Sequence, residues 1–273
     1  MLNFEKIKTF TDKEYADFCK FIYDYSGIHL TEKKRSLVNN RLRKRVLKHN
    51  FSSYGEYFNY VKKHRDEEFV MMINVITTNV SSFFRDEKQF KYLSEEVIKN
   101  LGKNRLKIWS AGCSTGEEPY SIALSLTTSN PEISFDILAT DLSTRVLDFA
   151  KVGIYKEEQL KTVPDFMLRK YFRKVETGQY QIKPEIKKNI RFDKLNLIKD
   201  TFPNNIDIIF CRNVIIYFDK ETKDKLFVKY AQSLNKGGYL FLGHSESLFN
   251  NPLFKFYKPS IYIKKIKEEE NSK

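Results

Sequence analysis

The sequence predicts an all-helical N-terminal domain, residues 1–78, followed by an α/β domain with a largely parallel sheet, residues 104–266. Two observations carry this prediction. Apolar residues recur at helical spacing up to about Asn79, and after about Asn104 short β-rich segments alternate with helical ones. The 273 residues are enough for one large domain or two ordinary ones. Residues 79–103 are expected to link the two parts and to contribute a first helix.

Two helices open the N-terminal part. The first lies in DKEYADFCKFIYDYSGIHL and is expected to stop at Gly27, which suits a left-handed C cap. The second is expected to run from Thr31, whose hydroxyl suits an N cap, to about His49. Three apolar residues of this helix recur every four positions and form one stripe: Val38, Leu42 and Val46.

The second helix also carries charge of a single sign. No acid occurs between Lys33 and Gly55, and four cations fall within a narrow sector of the helix: Lys34, Arg41, Arg45 and Lys48. The whole chain has a formal charge of +13, which implies nucleic acid, an anionic membrane surface or an acidic protein as a partner. A solvated face is the simpler interpretation, but the one-sided charge favours a docking face.

The α/β part is expected to contain five strands: LKIWSA, SFDILATD, NIDIIFCRN, GGYLFLG and SIYIKKI. Helices are expected between them at about residues 118–128, 144–151 and 221–234. Residues 171–191 do not fit the alternation and are expected to form a small inserted excursion, such as a short hairpin. The polar end, residues 267–273, is expected to be disordered.

The composition disfavours several functional classes. No apolar run reaches the roughly 18 residues that a membrane span needs, and the N-terminus lacks the apolar core of a secretory signal. We therefore expect a cytoplasmic protein. The three cysteines, Cys19, Cys113 and Cys211, lie far apart without metal-ligand spacing, so neither a disulfide framework nor a metal site is expected.

A glycine-framed turn follows the first predicted strand, a position at which α/β folds bind nucleotides. Asp141 ends the next predicted strand, where it could accept hydrogen bonds from both ribose hydroxyls. Glu117 and Glu118 would repel a diphosphate at the helix start, so a cationic ligand with a ribose and no phosphate suits the turn. S-adenosylmethionine (AdoMet) is such a ligand. The same turn fits the G-x-S-x-G pattern of a hydrolase, with Ser114 and a later His244, but a turn residue is the simpler interpretation of Ser114.

Six stretches, in order, span nearly the whole chain: TTNVSSFFRD at 77–86, WSAGCSTGEEPYSIA at 109–123, ATDLS at 139–143, LNL at 195–197, CRNVIIYFDK at 211–220 and GYLFLGHSE at 238–246. Together they resemble the chemotaxis receptor protein-glutamate O-methyltransferases, the CheR family. The resemblance implies a class I (Rossmann-like) methyltransferase domain with a small β-subdomain, preceded by an all-helical N-terminal domain. It also implies methyl transfer from AdoMet, leaving S-adenosylhomocysteine (AdoHcy), to glutamates on the cytoplasmic helices of chemoreceptors.

The resemblance further implies a set of site residues. AdoMet would be bound by residues from five of the stretches: Asn79, Ser81, Arg85, Glu118, Asp141, Asn196, Leu197, Arg212 and Asn213. Within that set, Asn196 and Leu197 would flank the adenine, and alignment favours Glu118 over Glu117. Arg85 and Tyr217 would lie closest to the reacting methyl group. On the basic helix, Arg41 and Arg45 would contact the receptor.

Glutamate as the acceptor agrees with a site that lacks an obvious histidine base, because its carboxylate is already ionised at neutral pH. The loop between Tyr171-Phe172 and IKPEI is about three residues shorter than in relatives that tether to a receptor's C-terminal peptide, so we expect no tether. Two alternatives stay open. The basic charge could serve an AdoMet enzyme acting on nucleic acid, although an N-P-P-[YF]-like motif and a stacking platform are missing. The chain could also be a non-catalytic module that binds AdoMet or receptor.

Overall fold

The computed structural model of the protein describes residues 7–64, 68–77, 81–248 and 250–266. The described chain separates into two compact units. The first takes in the residues up to 77 together with Tyr217–Asp219, and the second takes in Ser81–Ile216 and the chain from Lys220 onward. Asn79, which the resemblance assigns to the cofactor site, lies outside the described residues, as does the polar end of residues 267–273.

The first unit is helical: α1 (Asp12–Ser26), a 3-10 turn (Glu32–Lys34), α2 (Arg35–Lys48), α3 (Tyr54–Lys63) and α4 (Glu68–Ile76). A reciprocal capping box between Thr11 and Glu14 starts α1, and Gly27 ends it in the left-handed conformation at φ 73°, as the sequence predicts. The side chain of Thr31 makes no capping hydrogen bond, and the 3-10 turn opens the second helix instead. The predicted stripe of α2 is fully buried.

Seven strands of the described chain form the main sheet of the second unit, in the order β6-β2-β1-β7-β8-β10-β9. These strands are β1 (Arg105–Ala111), β2 (Ser134–Asp141), β6 (Ile190–Lys194), β7 (Ile206–Cys211), β8 (Leu234–Leu242), β9 (Phe254–Lys258) and β10 (Ile261–Lys264). The strands from β6 to β8 are parallel, and β10 runs antiparallel to both of its neighbours. The expected largely parallel sheet is therefore present, with β6 and β9 as additional edge strands.

The helices of the second unit connect these strands. They are α5 (Glu87–Tyr92), α6 (Ile98–Leu101), α7 (Glu117–Ser129), α8 (Thr144–Val152), α9 (Asp165–Tyr171), α10 (Pro184–Lys187) and α11 (Lys220–Ser233). A π-helical turn (Leu93–Val97) joins α5 to α6, and 3-10 turns occur at Glu157–Leu160 and Ile215–Tyr217. None of the helices in the described chain is long and apolar enough to cross a bilayer.

The strand order creates a crevice at the carboxyl ends of the central strands of the main sheet. From β1 the chain moves outward to β2 and β6, and it then returns to β7 on the other side of β1. The carboxyl ends of β1 and β7 therefore form the topological switch point, where open α/β sheets bind their ligands. Among the predicted site residues, Glu118 follows β1, Asp141 ends β2, and Arg212 and Asn213 follow β7.

A second, three-stranded sheet has the order β3-β5-β4, with β3 (Ile154–Lys156), β4 (Phe172–Glu176) and β5 (Gln179–Ile182). The strands β4 and β5 form the expected hairpin, and Gly178 adopts φ 71° in its tight turn. The third strand, β3, precedes residues 171–191, which were expected to form the whole excursion. At the other end, Ile190 already belongs to the main sheet, paired with Ile137 of β2.

The amino ends of three central strands are tied together by one carboxylate. Asp207 is 3 % exposed and accepts hydrogen bonds from the Lys107 backbone N–H at 2.9 Å and the Asn235 side-chain amide at 2.7 Å. The ammonium of Lys103 contacts the same carboxylate. Satisfying this buried charge from β1, β7 and β8 fixes the end of the sheet opposite the crevice.

Candidate functional site

The turn after β1 has a backbone that only glycine accommodates at two positions. Gly112 and Gly116 adopt φ 94° and 96°, in the left-handed region. A Cβ at Gly112 would lie 2.4 Å from Cγ2 of Val214, and a Cβ at Gly116 would lie 2.8 Å from Cβ of Ala150. The two glycines therefore let the turn approach the loop after β7 and the helix α8.

Asp141, at the end of β2, holds this turn from the other side. Its Oδ2 accepts a hydrogen bond from the Ser114 N–H at 2.9 Å, and its Oδ1 accepts one from the Ser143 N–H at 3.0 Å. Burial raises the pKa of the carboxyl, against the effect of the backbone N–H donors of Ser143, Ser114 and Leu142. Each carboxylate oxygen can accept a further hydrogen bond, so the group can also receive two hydroxyl donors.

Glu118 is the second residue of α7, and its carboxylate lies near the carboxyl ends of β1 and β7. It accepts a hydrogen bond from the Ser110 hydroxyl at 2.7 Å and lies 3.4 Å from Nη1 of Arg212, which follows β7. Burial raises the pKa of Glu118, while Arg212 and Ser110 oppose the rise. Glu117 turns differently, since its carboxylate accepts from the Thr115 hydroxyl within the same turn.

Arg212 connects this carboxylate to the segment before α5. Its guanidinium is 3 % exposed, forms an ion pair with Asp86 at 2.7 Å and donates to the backbone carbonyl of Arg85. It also lies 5.5 Å from the ring centroid of Phe90. The Nε atom is buried and makes no hydrogen bond within the described residues. Arg212 is thus enclosed by protein, and its placement suits a framework role beside the crevice.

The segment from Ser81 to Asp86 is held by its backbone and its two phenylalanines. The Thr162 hydroxyl donates to the Phe83 carbonyl at 2.6 Å, and the Phe84 N–H donates to the Ser121 hydroxyl at 2.9 Å. Both rings are buried, whereas the Arg85 side chain between Phe84 and Asp86 is exposed. Ser81 is half-buried at the start of the segment.

Four non-glycine residues around the crevice adopt left-handed backbone conformations: Phe84 (φ 52°), Asp86 (φ 59°), Ser114 (φ 49°) and Asn213 (φ 60°). Such conformations cost on the order of 1 kcal/mol or more each for an L-residue, and they persist where the surrounding contacts determine the backbone. Half of the eight such residues in the described chain lie in these three segments, which supports a functional role for this end of the sheet.

The stretch after β6 forms a tight polar turn. Buried Asn196 accepts hydrogen bonds from the N–H groups of Ile198 and Lys199, and its own N–H donates to Asp200 at 2.7 Å. From α11, the Lys229 ammonium donates to the carbonyl of Leu197 at 2.9 Å. The two residues expected beside an adenine thus lie in a fixed turn, with Leu197 half-buried.

Asn213 lies in the loop after β7, and the sequence did not indicate which residue stabilises that loop. Its N–H donates at 2.9 Å to the carboxylate of Glu246, a 5 % exposed side chain in the stretch after β8. The same carboxylate accepts from Gly243 at 2.6 Å and Ile216 at 3.2 Å. Burial raises the pKa of Glu246 against these donors. A glycine directly after a strand with an acid three residues later is the signal that could have drawn attention to it.

Tyr217, expected near the reacting methyl group, clusters with the helical unit. Its backbone carbonyl accepts the His29 N–H at 2.8 Å, and the adjacent Phe218 pairs with Ile28 in an isolated antiparallel bridge. The remaining described site residues, from Ser81 to Asn213, all belong to the second unit.

The two expected docking arginines make contacts inside the helical unit. Arg45 is 11 % exposed and pairs with Glu68, which is 7 % exposed and also accepts from the Tyr57 hydroxyl at 2.6 Å. Burial alone would raise the pKa of Glu68, but Arg45 and Tyr57 outweigh it and hold this pKa below its usual range. Arg41 is half-buried and donates to the Ile76 carbonyl. The charge of Arg45 is thus already compensated by a buried acid, and its contact with a receptor stays a prediction.

The residues at the crevice fit AdoMet. Its ribose hydroxyls need an acceptor with spare lone pairs, which Asp141 offers, and its positive charges suit the carboxylates of Glu118 and Asp141. The acids at the start of α7 would disfavour a diphosphate there. The chemistry of the donor and acceptor groups therefore matches a nucleoside cation without phosphates.

Two family models match this chain: the CheR methyltransferase, all-alpha domain, over residues 13–77, and the CheR methyltransferase, SAM binding domain, over residues 79–263. The chemotaxis protein methyltransferase of Borreliella burgdorferi is 37% identical over 268 residues, which cover 93% of this chain and 95% of that protein. That of Listeria innocua is 38% identical, covering 88% and 92%. That of Escherichia coli is 36% identical, covering 87% and 85%.

Substituting Asp141→Asn should weaken AdoHcy binding by about 10- to 100-fold, because two hydrogen bonds to a charged acceptor are lost or weakened. Hydroxyl donors favour the ionised carboxylate, so wild-type affinity should rise with pH as Asp141, whose pKa is raised, loses its proton. The Asn variant should lack this rise. Isothermal titration calorimetry over a pH series measures both effects.

The matched control is Asp148→Asn on α8, where the carboxylate is 71% exposed and pairs with Lys151. This variant should bind AdoHcy like the wild type at every pH. Wild-type affinity in the Asp141 variant would remove that residue from the binding site.

Proposed function

Because this chain belongs to the CheR methyltransferase family, we propose that it methylates glutamate side chains on the cytoplasmic helices of chemoreceptors. The chain is an AdoMet-dependent chemotaxis protein methyltransferase, as the resemblance implies. The proposal adds the acceptor group, the product, a glutamate methyl ester, and its use in chemotactic adaptation. Its main support is the position of exposed Arg85, which lies between two left-handed residues, Phe84 and Asp86. The Arg85 carbonyl accepts a hydrogen bond from Arg212, and Arg212 also contacts Glu118.

The acceptor chemistry needs little from the protein beyond positioning. AdoMet supplies a methyl group on a sulfonium, which a nucleophile can attack directly. A glutamate side chain is ionised at neutral pH, so no residue has to remove a proton first. Aligning the reacting groups can lower the barrier by about 7 to 11 kcal/mol. The task of the site residues is therefore to orient two partners and to exclude water.

The proposed roles follow the residue assignments that the resemblance implies. Asp141 holds the ribose hydroxyls, Glu118 compensates the positive charge of the cofactor, and the turn at Asn196 and Leu197 flanks the adenine. The further AdoMet-binding residues of the proposal are Arg212 and Asn213, which follow β7, and Asn79 and Ser81, which precede α5. Arg85 and Tyr217 receive the acceptor carboxylate. Too strong an ion pair at Arg85 would stabilise the bound acceptor and slow the transfer.

Substituting Arg85→Ala should reduce kcat on the order of 100-fold, because the acceptor carboxylate loses its charged donor. The fold should survive, since the Arg85 side chain is exposed and the segment is held by its backbone and by Phe83. Turnover and thermal unfolding measure the two effects. Lys88→Ala, which removes an exposed cation from α5, serves as the control and should leave turnover unchanged. Near-normal turnover in the Arg85 variant would remove Arg85 from the mechanism.

The acceptor itself is tested with AdoMet carrying a labelled methyl group and a receptor cytoplasmic fragment. Label should enter the fragment and should be released by mild base as methanol, because a carboxylate ester hydrolyses under conditions that leave N-methyl groups intact. Fragments with the target glutamates changed to alanine provide the control. Incorporation of label that resists base would contradict glutamate as the acceptor.

The exposed face of α2 is the proposed receptor-docking surface. It carries the exposed cations Arg43, Lys44 and Lys48 and half-buried Arg41, and exposed Lys33 lies in the preceding 3-10 turn. Leu37 lies on the same face and is 44% exposed. Methylation regions rich in glutamate would be attracted and oriented by these charges. Arg45 supports the surface from inside through Glu68.

Reversing two of these charges, Lys44→Glu with Lys48→Glu, should raise the KM for the receptor fragment about tenfold at low salt. The AdoHcy Kd should not change, and added salt should narrow the difference from wild type. The control reverses two exposed lysines of the second unit, Lys99→Glu with Lys236→Glu, for the same change in net charge. Equal effects of the two double variants would reject α2 as a specific docking surface.

Two further parts of the proposal concern partners and place. The β4–β5 hairpin closes through a short turn at Thr177 and Gly178, which supports function without a receptor tether. A substrate on the cytoplasmic side of receptors calls for a cytoplasmic enzyme. Nucleic acid is not part of the proposal, since the basic face of α2 is explained by a glutamate-rich protein partner.

A further inference from the structure

The carboxylate of Glu246 is surrounded by backbone N–H groups of the loop after β7. Its Oε2 accepts from Gly243 at 2.6 Å and Asn213 at 2.9 Å, and its Oε1 accepts from Ile216 at 3.2 Å. The N–H of Ile215 also bonds to this carboxylate. The side chain is 5 % exposed, and its own N–H donates to the Gly243 carbonyl at 2.9 Å. Glu246 thus closes a turn of its own and binds the neighbouring loop.

Gly243 shows how closely the two segments approach. A Cβ there would lie 2.7 Å from Oε2 of Glu246, 2.8 Å from the backbone nitrogen of Asn213 and 2.9 Å from its side-chain nitrogen. Only a residue without a side chain allows the loop to reach the carboxylate. The geometry is therefore built around the contact of Glu246 with Asn213.

The loop that Glu246 holds has little regular structure of its own. It runs from Arg212 through Asn213, which has φ 60°, into the 3-10 turn at Ile215–Tyr217. A left-handed asparagine followed by a single 3-10 turn has few regular backbone hydrogen bonds beyond those of that turn. The loop also contains Asn213, a proposed AdoMet-binding residue, so the conformation of the loop determines where the Asn213 side chain points.

We propose that Glu246 is a positioning residue for methyl transfer, which fixes the loop from Asn213 to Ile216 for AdoMet binding. The assignment rests on the proposed role of Asn213 in binding AdoMet. Glu246 itself does not have to touch the cofactor or the acceptor. Its effect is transmitted through the backbone N–H groups that it accepts from.

A carboxylate is the group that this position requires. Both oxygens of Glu246 receive N–H donors, so both must be acceptors. A glutamine amide has one acceptor oxygen and one donor nitrogen, and in either orientation its NH2 group would face backbone N–H groups. Glu246→Gln therefore preserves the size of the side chain and disrupts about half of its contacts.

Asp207 provides a matched control within the same sheet. It is about as buried as Glu246, and it also accepts from a backbone N–H, together with the side-chain nitrogens of Asn235 and Lys103. It lies at the amino ends of β1, β7 and β8, whereas Glu246 lies beyond the carboxyl end of β8. Asp207→Asn thus imposes a similar loss of acceptor at the opposite end of the sheet.

The experiment compares Glu246→Gln, Asp207→Asn and wild type at a temperature where all three are folded. Glu246→Gln should raise the AdoHcy Kd about tenfold by calorimetry and lower kcat at least tenfold, with the KM for the receptor fragment unchanged. Asp207→Asn should lower the unfolding temperature and leave the AdoHcy Kd and kcat at wild-type values. Equal behaviour of the two variants in Kd and kcat would overturn the proposal.

Glu246→Asp is the second variant, because it keeps both acceptor oxygens on a side chain one methylene shorter. It should recover part of the AdoHcy affinity and of kcat that Glu246→Gln loses. If Glu246→Gln does not fold, Glu246→Asp is compared with wild type, and unchanged Kd and kcat would overturn the proposal. AdoHcy binding is measured without receptor. The comparison of AdoHcy Kd values therefore stays valid even if glutamate proves not to be the methyl acceptor.

Discussion

The buried guanidinium of Arg212 is the interaction on which the arrangement of the site depends. It joins three segments that are far apart in sequence: the end of β7, the start of α7 through Glu118, and the segment before α5 through Asp86 and the Arg85 carbonyl. A buried arginine is tolerated only when its charge is paired and its N–H groups find acceptors. Meeting that requirement brings together residues from three different stretches of the chain.

Two carboxylates that accept hydrogen bonds from backbone N–H groups stabilise the loops at the same end of the sheet. Asp141 fixes the turn after β1, and Glu246 fixes the loop after β7. In both cases burial raises the pKa of the acid, while several N–H donors stabilise its ionised form. This use of acids explains how loops with left-handed residues stay ordered. It also leaves the crevice acidic, which suits a cationic ligand.

The sequence predicted the parts of the fold that have strong local signals. The alternation after Asn104 identified five strands of the main sheet, and Gly27 marked the end of α1. It did not indicate β6 and β9, because short edge strands carry little periodicity and depend on a neighbour for their hydrogen bonds.

For the site, the motifs named residues whose placement required the structure. Asp141 followed from its position at the end of a strand, and Glu118 was assigned through the resemblance. The ion pair of Arg45 could not be predicted, because its partner Glu68 lies on a later helix and periodicity does not show contacts between helices. The role of Glu246 was hidden for the same reason, since its donors come from a loop some thirty residues earlier.

The three residues Tyr217–Asp219 belong with the helices at the other end of the chain, and Phe218 gives Ile28 its bridge partner. A helical fragment that ends near residue 77 would lack this partner and the carbonyl that accepts the His29 N–H. The helical part is therefore poorly suited to exchange between proteins by simple fusion. Chimaeras of related enzymes would have to transfer both pieces of chain together to preserve its hydrogen bonding.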